Sequence, residues 1–355
     1  MKIFLSLQRC NYKDVIPRFI RCVQQPHSRI AIPCTTYGQR FYSNIENNIP
    51  KTKYTPRRSV LYVPGNDERK IKKVTSLDVD CVVLDCEDGV AMNQKDEARN
   101  TVAGCLGNLT DCNAEITVRI NAVSSGLMEE DLRRVFQSSH PPKTLMLPKV
   151  DTPEEVDRFT KRLKDILTEE QKSKKIGLIT MVESAIGLMN LKNIFLKATE
   201  LGRSEKLYNL EGVVFGSDDY CADIGATRTN DAKELMYARQ KIINCAKAYR
   251  LQAIDMVYID YKDLAGLKLQ SEEGCKMGFT GKQVIHPDQI PVVNTAFSPT
   301  HATVQWATEM IQAFNEHQKS GKGAFVFDGK MIDMPLVLQA RNIVQISHAV
   351  QRPVT

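Results

Sequence analysis

The sequence predicts an α/β chain folded as a (β/α)8 TIM barrel with a C-terminal helical and hairpin extension. Three observations carry that expectation. Eight short apolar, β-branched runs recur between residues 59 and 285, and near-continuous apolar runs of this length read as strands buried on both faces. Amphipathic stretches of helical spacing separate them, the alternation that builds a parallel sheet covered by helices. Eight such units occupy roughly the 250 residues of a closed barrel. An open doubly wound sheet is the alternative, but no GxGxxG follows the first run, which counts against its dinucleotide-binding version.

The strands are expected at 59–63, 80–84, 115–120, 144–147, 176–182, 212–215, 254–259 and 278–285. Between the fourth and fifth, Thr152 reads as an N-cap, with Pro153 at the first helical position and Glu154 and Glu155 in the first turn. Asp231 is placed to cap a helix containing Leu235, Met236, Ala238, Ile242 and Ala246. Beyond Pro299 the pattern changes. Val304, Ala307, Ile311 and Phe314 follow helical spacing, and 324–327 with 330–332 read as a hairpin about Asp328 and Gly329. Pro335 opens a last helix bearing Leu338, Ile343 and Ile346. The expected division is a barrel over 54–298 and an extension over 299–355. The extension is expected to be too short for a core of its own, so that it docks on the barrel or on a neighbouring subunit.

Charge separates the two ends of the chain. Of 355 residues, 48 are Lys or Arg and 42 are Asp or Glu, a formal +6. Residues 1–45 hold seven basic residues and one acid, Asp14, so this leader carries the whole +6 and the remainder balances 41 against 41. A neutral body excludes a broad nucleic-acid-binding surface. No apolar run reaches the length of a membrane span. The leader mixes Arg, Ser, Thr and Gln with recurring apolar residues, the composition of a mitochondrial transit peptide. Arg40 stands three residues before a cut after Tyr42, which gives a leader of 1–42 and a matrix destination. The ten cysteines are irregularly spaced and include no CxxC pair, as for reduced thiols.

In a barrel of this kind the chemistry sits at the C-terminal ends of the strands. The second run ends in Asp85, Cys86, Glu87 and Asp88; the third contains Arg119; the fourth ends in Pro148 and Lys149. The fifth ends in Glu183, the sixth in Ser217, Asp218, Asp219 and Tyr220, the eighth in His286 and Pro287. Each has an ordinary structural reading, as a helix cap, an ion-pair partner or a turn. Their convergence on one rim favours a functional reading. Carboxylates ending apolar strands are costly unless paired or metal-bound. Hard oxygen ligands without a His or Cys cluster suit Mg2+ or Mn2+ rather than Zn2+.

The motifs RRSVLYVPGN (57–66), LDCEDGV (84–90), LPKV (147–150), ESAIG (183–187), FGSDDY (215–220), GKQVIHP (281–287), GAFVF (323–327) and MIDMP (331–335) resemble the citrate lyase β-subunit/malyl-CoA lyase family. The resemblance covers roughly residues 54–350. It implies a Mg2+-dependent barrel enzyme, a homo-oligomer and commonly a trimer, that cleaves or forms 3-hydroxyacyl-CoA thioesters. By position it implies Glu183 and Asp219 as metal ligands, although Ser217 and Asp218 stand where relatives often have Gly and Glu. Arg119 would grip the small keto acid, Tyr62, Arg69 and Lys73 would meet the CoA part, and Ile285 and His286 would line the same cleft. Asp333 matches a catalytic acid/base supplied by a neighbouring subunit. An Asp beside apolar Met331, Ile332 and Met334 can have its carboxyl raised by desolvation.

The expected substrate is citramalyl-CoA, split to pyruvate and acetyl-CoA by a retro-Claisen step. A malate or methylmalate synthase or malyl-CoA thioesterase activity, from acetyl-CoA plus glyoxylate or pyruvate, is the alternative within enzymes, and a catalytically inactive CoA-binding or regulatory subunit the alternative outside them.

Overall fold

Eight parallel strands close on themselves in chain order. They are β1 (Ser59–Pro64), β2 (Cys81–Asp85), β3 (Glu115–Arg119), β4 (Thr144–Leu147), β5 (Ile176–Val182), β6 (Tyr208–Phe215), β7 (Gln252–Asp255) and β8 (Gly281–Val284). Each is hydrogen-bonded to the next, and β8 returns to β1 through Ser59, Val60 and Leu61. The computed structural model describes residues 55–319 and 325–350, so the leader expected at 1–42 lies outside the described residues.

The helices follow the strands as the alternation requires. They are α1 (Glu68–Lys73), α2 (Lys95–Cys105), α3 (Met128–Phe136), α4 (Pro153–Ile166), α5 (Glu169–Ser173), α6 (Ala185–Ser204), α7 (Ser217–Ile224), α8 (Met236–Ala248), α9 (Leu264–Met277) and α10 (Gln289–Ala296). α4 begins where its sequence signals place it: Thr152 donates its backbone N–H to the Glu155 carboxylate at 3.1 Å, the reciprocal arm of a capping box. Among the described residues no helix is long and apolar enough to cross a membrane. All seven described cysteines are free thiols.

Every residue of β2, β4 and β5 is buried, which explains their largely apolar composition. Alternate residues on the strands separate into two cores. Val60, Cys81, Val83, Met146, Ile179, Met181, Val214 and Ile254 form one apolar cluster, with Tyr62 packed against it, filling the barrel interior. The intervening residues, such as Val82, Leu84, Val118, Leu145 and Val213, pack outward against the helices.

The structure moves the boundaries of three strands by two residues or more. β6 starts at Tyr208 rather than 212: its pairing with β5 continues through Tyr208, Asn209 and Leu210, and Glu211 is the residue left unpaired where the register shifts between Leu178 and Ile179. β7 ends at Asp255 rather than 259: Met256 and Tyr258 are buried, but in the loop beyond the strand. β8 is confined to Gly281–Val284, since Phe279 is buried in the approach to it and Ile285 is already exposed. Asp231 does not cap α8. A short 3-10 turn, Lys233–Leu235, intervenes, and Asp231 pairs instead with Lys233.

After the barrel come α11 (His301–Lys319), the antiparallel pair β9 (Phe325–Phe327) and β10 (Lys330–Ile332), and α12 (Met334–Val350). The hairpin turns at Asp328 and Gly329, both at positive φ. The extension departs from expectation in having a core. It encloses an apolar cluster of its own, built from Ala307, Met310, Phe314, Phe325, Ile332, Val337 and Ala340.

Candidate functional site

The strand ends bring charged residues together on one rim. Glu183, directly after β5, is 4% exposed, and neither of its carboxylate oxygens has a hydrogen-bond partner. An ionised carboxylate in that state costs several kcal/mol unless a cation joins it. Burial pushes the Glu183 carboxyl up to about 8, with Glu87 and Asp219 adding to the rise and Arg119 and Lys149 opposing it. Oxygens of Asp88, Glu183 and Asp219 lie within 4.8 Å of one another. An orphaned buried carboxylate flanked by two exposed ones fits a hard divalent cation.

The neighbouring acids of α7 part company. Asp219 joins Glu183, whereas Asp218 lies 3.5 Å from the Nε of Arg228. Consecutive residues in a helix point about 100° apart, so one turn serves two environments. Gly216, just before α7, packs directly on the Glu183 side chain.

Arg119, the last residue of β3, is buried beside Asp85, the last residue of β2 and its Cα partner in the ladder. Its Nε and Nη2 donate to the two Asp85 oxygens at 2.7 and 2.6 Å, and its Nη1 pairs with Glu87 at 3.0 Å. The guanidinium lies 5.0 Å over the Tyr62 ring, which caps the barrel interior and whose hydroxyl reaches the Met146 sulfur at 3.2 Å. Burial pushes the Tyr62 hydroxyl above the usual phenol range.

Lys149, after β4, donates to Glu87 at 2.7 Å and to both oxygens of Asp88. Burial pushes the Glu87 carboxyl up against the pull of Arg119 and Lys149. Burial acts in the same sense on Asp88, but the hydrogen bonds with Lys149 and Glu87 and the charges of Lys149 and Arg119 together outweigh it and hold that carboxyl below its usual range.

The other expected site residues are more dispersed. Arg69 and Lys73 are exposed on α1, on the side of the chain that follows β1. Ile285 is exposed after β8, and the His286 ring stacks on Tyr261 with centroids 4.8 Å apart. Asp333 lies in the extension, exposed, where its carboxylate accepts from the Leu336 N–H at 3.3 Å and caps α12. The apolar neighbours expected to desolvate it do not cover it within its own chain, for Met331 is 75% exposed. Asp88 and Lys149 were visible in the sequence as rim residues without a role. The only signal for Asp88 was its place in the DCEDG loop after β2.

Known proteins share much of this chain. It is 52% identical over 299 residues to the mitochondrial citramalyl-CoA lyase of Homo sapiens, an alignment covering 84% of this chain and 88% of that protein. It is 28% identical to the citrate lyase subunit beta of Leuconostoc mesenteroides subsp. cremoris, over 82% of this chain and 94% of the relative. Among solved structures it resembles the CitE protein of Mycobacterium tuberculosis in complex with magnesium, acetoacetate and coenzyme A, with a TM-score of 0.64 and 26% identity, covering 82% of this chain and 98% of that one. Residues 58–287, which span all eight barrel strands, match the model of one family. The chain belongs to the HpcH/HpaI aldolase/citrate lyase family.

Proposed function

We propose that this chain is a Mg2+-dependent citramalyl-CoA lyase that splits citramalyl-CoA into pyruvate and acetyl-CoA. The observation that carries the reading is Glu183, whose two buried oxygens have no partner and face Asp88 and Asp219 at the mouth of the barrel. The likeness to the human citramalyl-CoA lyase supports the choice of substrate. The magnesium and coenzyme A bound to the mycobacterial CitE protein support the metal and the thioester.

In this reading Glu183 and Asp219 hold Mg2+. When bound, Mg2+ supplies positive charge that acidifies the substrate hydroxyl and steadies the ketone oxygen of pyruvate. Arg119 orients the pyruvate end. Its Nε–Nη2 edge is occupied by Asp85 and Nη1 already pairs with Glu87, so the one further N–H on each of Nη1 and Nη2 is what can meet a substrate carboxylate. Tyr62, beneath that guanidinium, forms the floor under the acyl group. Arg69 and Lys73 attract the CoA phosphates, and Ile285 and His286 line the way to them. As the carbon–carbon bond breaks, the substrate hydroxyl gives up its proton to water, the Asp333 carboxyl delivers a proton to the terminal carbon of the acetyl-CoA enolate, and water reprotonates the Asp333 carboxylate.

Asp333 reaches that carbon from a neighbouring subunit, in a homotrimer whose barrels span 54–298 and whose extensions span 299–355. Val326 and Met331 are register partners on the hairpin, both exposed, and give the extension an apolar face beside Asp333. Such a face suits burial against a second copy. The leader at 1–42 is a transit peptide that delivers the chain to the mitochondrial matrix.

The test is an assay of the full chain with citramalyl-CoA, reading pyruvate. Turnover that EDTA abolishes and Mg2+ restores is expected, as is its loss in Glu183→Gln. Absence of pyruvate from the folded, Mg2+-loaded protein overturns the assignment.

A further inference from the structure

We propose that Asp85 is a positioning residue that sets, through one carboxylate, both the orientation of Arg119 and the shape of the loop bearing Glu87 and Asp88. This rests on the reading of Arg119 as the residue that grips the oxo acid.

Asp85 is 2% exposed, and its four hydrogen bonds are evenly divided. Oδ1 accepts from Arg119 Nε at 2.7 Å and from the Glu87 N–H at 2.8 Å. Oδ2 accepts from Arg119 Nη2 at 2.6 Å and from the Gly89 N–H at 2.8 Å. A carboxylate ion has about four acceptor sites, so this one is saturated and cannot turn without losing a bond to a buried donor. The two bonds to Arg119 are parallel and fix the plane of the guanidinium, as a single bond or a point charge does not.

The backbone repeats the connection. Asp85 and Arg119 are ladder partners, and the Cys86 N–H donates to the Arg119 carbonyl at 2.9 Å. The loop that Asp85 grips, residues 86–89, carries Glu87, which pairs with Arg119, and Asp88, which lies with Glu183 and Asp219. The oxo-acid side and the cation side of the site therefore share one anchor. Gly89 is required for it, because a Cβ there would fall on Asp85 Oδ2.

Asp85 acts through Arg119 and touches no reacting atom. Its neutral isostere keeps the shape but presents an NH2 donor to one pair of N–H groups, and the guanidinium must leave its plane. Misplacing a positioning group by an ångström costs about 10²-fold.

The experiment measures pyruvate binding to the Mg2+-loaded full chain by calorimetry, for wild type, Asp85→Asn, Arg119→Lys and the double variant. Asp85→Asn is expected to weaken pyruvate at least about tenfold. Its KM for acetyl-CoA in the condensation direction should change less than about threefold, and the double variant should bind pyruvate no worse than Arg119→Lys. Gly89→Ala keeps the charge but displaces the carboxylate; it should weaken pyruvate in the same selective way and serves if Asp85→Asn does not fold. If Arg119→Lys weakens pyruvate while folded Asp85→Asn or Gly89→Ala binds it normally, the positioning role is overturned and the reading of Arg119 stands. Normal pyruvate binding by Arg119→Lys overturns both. Losses that add fully in the double variant show that Asp85 acts otherwise than through Arg119, and also overturn the proposal.

Discussion

Lys149 and Asp88 are ion-paired across the rim of the barrel, with the ammonium nitrogen 3.0 and 2.8 Å from the two carboxylate oxygens. Lys149 adopts a left-handed backbone, with φ 50°, which costs a β-carbon residue on the order of 1 kcal/mol. Asp88 is also one of the three carboxylates grouped about Glu183. A divalent cation drawing on that group meets a resident ammonium charge.

Lys149→Met is therefore expected to tighten Mn2+ binding by about tenfold or more, because a like charge within a few ångströms of the cation is removed. Titration calorimetry on the full chain measures it. Weaker binding would mean that Lys149 braces Asp88 rather than competing for it.

Gly216→Ala should loosen the cation site without unfolding the barrel. A Cβ at residue 216 would stand 2.5 Å from Glu183 Cγ, so the carboxylate must shift. Mn2+ affinity is expected to fall about tenfold or more, by analogy with other displaced metal ligands and their supports. The thermal unfolding midpoint should move by only a few degrees. Unchanged affinity in the folded variant would show that Glu183 tolerates displacement.

Asp333→Asn should bind Mg2+ and CoA normally and lose about 10²- to 10⁴-fold in turnover. Mixing it with inactive Glu183→Ala chains should restore partial activity if each site draws on two subunits. A mixture that stays inactive after confirmed subunit exchange places both residues in one chain, or removes Asp333 from the chemistry.

Lys282 supplies a pH test away from the site. It is fully buried on β8, with Nζ 2.7 Å from Gln270 Oε1 and 3.9 Å from Asp255, which is already held by Arg239. Burial lowers the Lys282 ammonium from 10.5 to about 8, despite the pull of Asp255. Between those values the unfolded chain holds the proton and the folded chain does not, so unfolding free energy rises with pH across that window. Below about 8 the cost of the buried charge is fully present. Relative to Lys282→Met, the wild type should gain up to about 3 kcal/mol between pH 8 and 10.5. Urea denaturation at several pH values measures it, and parallel pH profiles would show that Lys282 titrates normally.

The repeating unit and its punctuation were legible in the amino-acid order. β4 and β5 fall at their expected bounds, because strands buried on both faces are near-continuously apolar, and Lys143 before β4 and Lys175 and Glu183 on either side of β5 mark where the runs stop. The start of α4 was equally plain, since Thr152, Pro153 and Glu155 act within four residues of one another. The ring of charges at the strand ends followed from the same alternation, because each apolar run stops where the barrel opens.

What those charges do depends on how the closed barrel arranges them. Asp85, Glu87 and Asp88 are nearly adjacent in sequence, yet the first holds Arg119, the second pairs with Arg119 and Lys149, and the third joins Glu183 and Asp219. Asp218 and Asp219 are told apart only by the turn of α7 and the position of Arg228. The end of β7 was illegible for a related reason: Met256 and Tyr258 are buried like strand residues but in a loop. Hydrophobicity records whether a residue is buried. It does not record which partner, tens or hundreds of residues away, the closed barrel sets beside it.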